Sequence, residues 1–314
     1  MILSIQLTNR LFLRQRVWVD LVAIIVAVGL TMLWGQAGLQ AQTASATNAV
    51  FPNPTLPWTN SLAMRFVPVP STKVLFGVWD VRVQDYAAFV QATGHAASKG
   101  MWSLRNHVYG QHGDTWQNPG FTQGPTHPVC GVNWNDAQAF CQWLTKRDRA
   151  EGKISAGQSY HLPRDWEWSV AVGLNEPRAG TPKDKDEGAR VYPWGGSWPP
   201  PNGAGNYAGD DTADEQWPKE WKVIDGRRDG FARTSPVGSF APNQFGLYDM
   251  GGNVWQWVED DYDGIRGNRT LRGGSWADLV PRFALSSFRL DFPAAERFDY
   301  SIGFRVVLAE DAAQ

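Results

Sequence analysis

The chain has 314 residues and a formal net charge of −2, with 19% of its residues charged. That length allows one large domain or two ordinary ones, and the near balance of charge excludes the basic footprint that nucleic-acid binding requires. With 17 Trp, 32 Gly and 20 Pro, the composition predicts a core of large rings holding together much irregular backbone, because each buried ring removes ~150–250 Å² from water.

The first stretch reads as a targeting segment. Arg10, Arg14 and Arg16 precede an apolar run from Leu21 to Trp34, and small residues Ala41, Ala44 and Ala46 follow it. A positive start, a short apolar run and a small-residue exit describe a secretory signal. The run is shorter than the ~20 residues of a typical membrane span. Residues 1–41 are therefore read as a signal peptide or an N-terminal membrane anchor. Either reading places the domain outside the cytoplasm, secreted or periplasmic, with membrane contact only through an uncleaved leader. Residues 42–57 read as a linker, residues 58–309 as the folded domain and 310–314 as a tail.

Within the domain, AMRFVPVP and VLFGVWDVRV predict paired short strands. Tyr86, Phe89, Val90 and Thr93 fall at helical spacing and Gly94 stops that helix. Residues 95–126 show no periodicity and read as a long packed loop. A short strand is expected at Val129–Val132. A second helix follows, with Asn135 as N-cap, Gln138 at capping-box spacing and an apolar stripe of Ala137, Phe140, Cys141 and Leu144. YHLPRDWEWSVAVG predicts a strand end, a proline at a helix start and a third helix ending at Gly173. Beyond it the chain reads as turns and short strands, at TSPVGSF and RTLRGGSW, closed by a strong strand over Ile302–Leu308. The two cysteines, Cys130 and Cys141, form no disulfide framework. They read as buried thiols, with a mutual disulfide or a metal as the alternatives.

Several segments then occur in one order at characteristic intervals: HPVCGVNWNDAQAFCQWL, YHLPRDWEWSVAV, YPWG, GNYA, TSPVGSF, FGLYDMGGNVWQW, RGGSW and GFRVVL. Together they resemble the formylglycine-generating-enzyme domain, also called the sulfatase-modifying-factor domain, over nearly all of residues 58–309. The resemblance implies an α+β, C-type-lectin-like fold with short helices, a small mixed sheet and bound calcium. It also implies an activity, the oxidation of a sulfatase cysteine to formylglycine. In the aerobic enzymes, two C-terminal cysteines bind the copper(I) for it, one three residues after the serine of RGGS and one five residues further on.

In this chain those positions are Asp278 and Phe283, after Ser275. A carboxylate is a hard ligand and a phenyl ring is none, whereas cuprous ion selects thiolates. Copper is accordingly not expected, and no catalytic residue is assigned among the family cleft positions Arg272, Ser275, Asp278 and Phe283. The resemblance implies a first calcium site at Asn206, Tyr207, Asp229 and Phe231, all of which match the family pattern. It suggests a second at Asn253 and Gln256, where the family has Glu in place of Gln256. A related branch uses three histidines for non-heme iron. Here His95, His107, His112, His127 and His161 read as hydrogen-bonded structural residues. If the substrate groove persists, Trp276, Arg282, Arg289, Asp291 and Arg297 could line it and read a peptide or a glycan, with a sulfatase as one candidate partner. The expectation is a binding or accessory module without the oxidase activity. The alternative is an active formylglycine-generating or other oxidative enzyme using ligands other than cysteine.

Overall fold

The computed structural model describes residues 51–96, 100–294 and 299–311. The expected leader over 1–41 and Arg297 lie outside the described residues. Among the described residues no helix is long and apolar enough to cross a membrane. The class is α+β. A first sheet has the order β1 (Trp58–Thr59), β2 (Arg65–Pro68), β3 (Val74–Gly77), β11 (Val307–Glu310), β6 (Gln158–His161), with every neighbour antiparallel. A second, mixed sheet has the order β10 (Ile302–Phe304), β7 (Trp255–Asp261), β8 (Asn268–Arg272), β9 (Leu290–Pro293). In it β10 runs parallel to β7 and the other pairs are antiparallel.

The helices follow from local chemistry. Helix α1 (Val83–Thr93) ends at Gly94, which adopts the left-handed conformation that stops a helix cheaply. Helix α2 spans Trp134–Ala150 and buries Ala137, Phe140, Cys141 and Leu144, the stripe read from the sequence. Its cap is Asn133, not Asn135: Asn133 accepts from Asp136 N, and the Asp136 side chain accepts from Asn133 N. Helix α3 (Asp165–Val172) ends at Gly173, with Arg164 as cap, so Pro163 lies just outside it rather than within its first turn. A short α4 (Pro182–Lys185) adds one further turn of α type among the described residues.

Four further expectations need correction. The stretch read as a loop over 95–126 contains a hairpin, β4 (Trp102–Arg105) with β5 (Val108–Gln111). Its two-residue turn, Asn106–His107, has both φ values positive, at 49° and 65°, which is the hairpin turn usually marked by Asn-Gly. Val129–Val132 is not a ladder strand, although Val129 N donates to Val81 O at 2.8 Å, and TSPVGSF is turn rather than strand. The closing run is two strands in two sheets, because the chain turns a corner at Arg305 and Val306. There the buried Arg305 guanidinium donates to Gly77 O and Tyr248 O at 2.8 and 2.6 Å, and Gly77 N donates to Val306 O at 2.9 Å.

The main core is aromatic, as composition predicts. Tyr86, Phe89, Phe140 and Phe304 pack edge-on and stacked between the helices and β10. Trp257 is fully buried and its indole N–H finds Val132 O at 3.0 Å. That bond lets so large a polar-tipped ring sit inside.

Candidate functional site

Strand β8 delivers the chain into the turn Gly273–Asp278. Ser275 N and Oγ both donate to Asp278 Oδ2 at 2.8 Å, and Ala208 N donates to the Asp278 carbonyl at 3.2 Å. Burial pushes the Asp278 carboxyl up to about 6, while Ser275's donors pull the other way. The Phe283 ring packs on Phe288 at 5.0 Å and on Trp255 at 6.3 Å. Trp276 is wholly buried, edge-on to Tyr300 at 4.9 Å.

Arg272 and Arg289 were expected at a cleft, but they are buried at 0% and 1% exposure. They meet beneath α3. Both pair with Asp165, as does Lys185 at 2.9 Å, and Arg289 also pairs with Glu176. Burial drives the Arg272 guanidinium down to about 10 against the pull of Asp165. The Asp165 carboxyl, though desolvated, ends well below its ordinary value because Arg272 and Arg289 hold it ionised. These two arginines position strand β8 on α3, and Trp276 supports the turn from below; none of the three presents a face to a groove. Arg282 is exposed, lies over the Phe283 and Phe288 rings and pairs with Glu187 at 3.5 Å. Asp291, also exposed, accepts from Asn268 Nδ2 at 3.2 Å on β9.

The candidate first metal position is assembled by two turns. Asn206 is fully buried; its Nδ2 donates to Arg233 O at 2.7 Å, and its Oδ1 has no hydrogen-bond partner. Asp229 reaches the same place: its Oδ2 accepts from Tyr207 N at 3.0 Å and its Oδ1 from Phe231 N at 3.1 Å. Burial raises the Asp229 carboxyl, with Arg227 no nearer than 3.8 Å to offset it.

At the second position the amides are engaged by the protein. Asn253 Oδ1 accepts from Ser235 N at 3.0 Å. Gln256 Oε1 accepts from Trp168 Nε1 at 2.9 Å and Arg305 Nε at 3.3 Å, and its Nε2 donates to Asp249 O at 2.7 Å. Buried oxygens left over there include Ser235 Oγ and Oδ1 of Asp249, the latter a carboxylate missed by sequence reasoning. Its left-handed φ of 54° ahead of Gly251–Gly252 is a signal that only the backbone reveals. The two glycines are required for a different reason. A Cβ on Gly252 would sit 2.4 Å from Asn206 O, and one on Gly251 would sit 2.6 Å from the Tyr207 hydroxyl. Side chains there would push the two metal-candidate segments apart.

Residues 73–310 match the model of the sulfatase-modifying factor enzyme 1-like domain. The chain belongs to this family. Similar proteins of the sulfatase-modifying-factor family include an inactive C-alpha-formylglycine-generating enzyme 2 from Bos taurus, 33% identical over 52% of this chain and 45% of the relative. Another is a formylglycine-generating enzyme from Thermomonospora curvata, 31% identical over 56% of each chain. The chain thus spans about half the length of these curated relatives. The structure of PvdO from Pseudomonas aeruginosa superposes with a TM-score of 0.54 at 21% identity, covering 82% of this chain and 99% of that one. That likeness is one of fold.

In this sulfatase-modifying-factor domain the residues at the family's copper positions do not fit a cuprous ion. Asp278 is a hard donor already held by Ser275, and Phe283 is a packed ring. Cys130 and Cys141 do not substitute. Both are buried free thiols, and burial pushes each well above its ordinary value, which disfavours the thiolate that binds metal. All five histidines make hydrogen bonds within the protein. Among the described residues no group of three or more His, Cys, Asp or Glu side chains could hold a metal.

Proposed function

We propose that this domain is a non-oxidising member of its family that works outside the cytoplasm as a binding or accessory module for a peptide or a glycan. One observation carries the reading: the turn that would hold copper is closed by a Ser275–Asp278 hydrogen-bond pair and plugged by Phe283 against Phe288 and Trp255. The inactive relative from Bos taurus supports it, as a precedent within the family for loss of the activity. The apolar run ahead of residue 42 supports an extracytoplasmic location. The test is incubation of the full chain with copper(I), oxygen and a sulfatase-motif peptide, with the peptide mass followed over time. We expect an unchanged mass; formation of the aldehyde overturns the reading.

Calcium belongs to the same proposal. Asn206 Oδ1 is a buried acceptor without a donor, beside a desolvated carboxylate at Asp229, and hard oxygens of this kind suit Ca²⁺. The carbonyls of Tyr207 and Phe231 would complete the set. We place the charge of any second site on Asp249, since Gln256 is committed to Trp168 and Arg305. A chelator should lower the melting temperature of the intact protein, and Asp229→Ala should remove that difference. Identical melting curves with and without chelator in the unmutated protein would take calcium out of the proposal.

A further inference from the structure

A cavity of about 740 Å³ opens between residues 117–123, which follow β5, and the turn 230–234. It lies over the buried platform of the Ser275 turn. The Arg233 guanidinium forms part of its wall, 5.2 Å from the Trp276 ring centre and 5.7 Å from that of Trp217, and Phe121 packs edge-on to Trp276 at 5.7 Å. The volume is in the range of small-molecule sites.

Its charge is internally settled. Arg233 pairs with Asp214 at 3.0 Å and gives further hydrogen bonds to Thr212 O and Ala232 O at 3.2 and 2.7 Å. No net charge remains in the lining to select an ionic ligand. The other polar groups are neutral and two-sided. Gln117, Asn118 and Gln216 stand exposed at the rim, each with an amide that both donates and accepts. At the floor Gln123 Nε2 donates to Thr234 Oγ1 at 2.9 Å, and the Thr234 hydroxyl lies 3.0 Å from His127 Nδ1. Burial lowers the His127 pKa, which favours its neutral form. Two half-buried phenyl rings, Phe121 and Phe231, complete the lining, the second held edge-on by Phe240 at 6.1 Å. No residue lining the cavity belongs to a strand. An extended peptide would therefore find no sheet edge here to extend.

Neutral amides beside apolar ring faces, without net charge, suit a ligand that is itself uncharged, rich in hydroxyls and apolar on one face. We infer that this cavity binds a neutral oligosaccharide, its C–H face against Phe121 and Phe231 and its hydroxyls on the amides of Gln117, Asn118 and Gln216. The inference rests on the binding-module reading above and narrows it from peptide or glycan to glycan.

The test is saturation-transfer NMR on the full chain with maltotriose, mannotriose and chitotriose, and in parallel with the sulfatase-motif peptide. We expect transfer to at least one trisaccharide, strongest at ring C–H protons. Gln117→Ala with Asn118→Ala, and separately Gln216→Ala, should weaken it at least tenfold at an unchanged melting temperature. These side chains are exposed, so folding is not at stake. The absence of transfer to all three sugars overturns the inference, as does transfer that the variants leave intact. Peptide binding lost in the same variants would also overturn it while leaving the binding-module reading standing. Aldehyde formation on the peptide would instead remove that reading itself.

Discussion

Asp278 carries a carboxyl raised from its ordinary 3.8 to about 6, because the turn that holds it is desolvated. The folded state therefore holds a proton between roughly pH 4 and 6 that the unfolded chain has released. Stability must fall as pH rises through that window, by at most about 3 kcal/mol. Denaturant unfolding at pH 4, 5, 6 and 7 should show this loss, and Asp278→Asn, which never ionises, should make it smaller, leaving the share of the other buried carboxyls such as Asp80 and Asp229. If the variant keeps the slope of the unmodified protein, the carboxyl is solvated and the turn is open. Residue types alone made the loss of the copper ligands legible, since Asp278 and Phe283 lack the sulfur that a soft ion requires. The burial of Trp276, Arg272 and Arg289 was not legible. An arginine near a family cleft looks like a ligand-reading group until its partner, Asp165, more than a hundred positions away, is found beside it.

Helix α2 separates what local sequence encodes from what it leaves open. The stripe of Ala137, Phe140, Cys141 and Leu144 could be read from its spacing. The cap could not, because Asn133 and Asn135 offer similar chemistry two residues apart. Asn133→Ala should cost about 1 kcal/mol, since it leaves Asp136 N without its acceptor. Asn135→Ala, at an exposed position inside the helix, should stay within about 0.5 kcal/mol. Equal losses in urea melts would return the cap to Asn135. The β4–β5 hairpin was hidden for a related reason: Asn106–His107 makes a turn usually signalled by glycine, and the His107 ring is held by a contact 3.1 Å from Trp217 O, far along the chain. A second test concerns the ion pairs joining β8 and β9 to α3. Arg289→Met would leave Asp165 and Glu176 with one cation fewer in a buried site and should cost about 3–5 kcal/mol. A loss below about 1 kcal/mol would mean that water reaches the cluster.

Both sheets depend on the last described stretch of chain. β10 pairs with β7 in the mixed sheet, and three residues after its end β11 begins and sits between β3 and β6 in the antiparallel one. The corner between them is fixed from inside. Arg305 faces Asp80 at 3.4 Å and donates to carbonyls from two distant segments, while burial lifts the Asp80 carboxyl well above its ordinary value. A family motif that reads as one strand is therefore a hinge-free splice between two layers. Sequence pattern could not show this, because Ile302–Leu308 is apolar enough for either sheet. The consequence is cooperativity. Far-UV circular dichroism, which reports both sheets, and the emission of the 17 Trp, to which Trp255 and Trp257 of the mixed sheet contribute, should report one common melting temperature. A chain ended after Arg305 should lose both signals together, although every residue of the mixed sheet remains present. Native tryptophan emission in that truncated chain, lost when Trp255 and Trp257 are both replaced by Phe, would show that the mixed sheet folds without β11, and that the corner at Arg305 is only a connection.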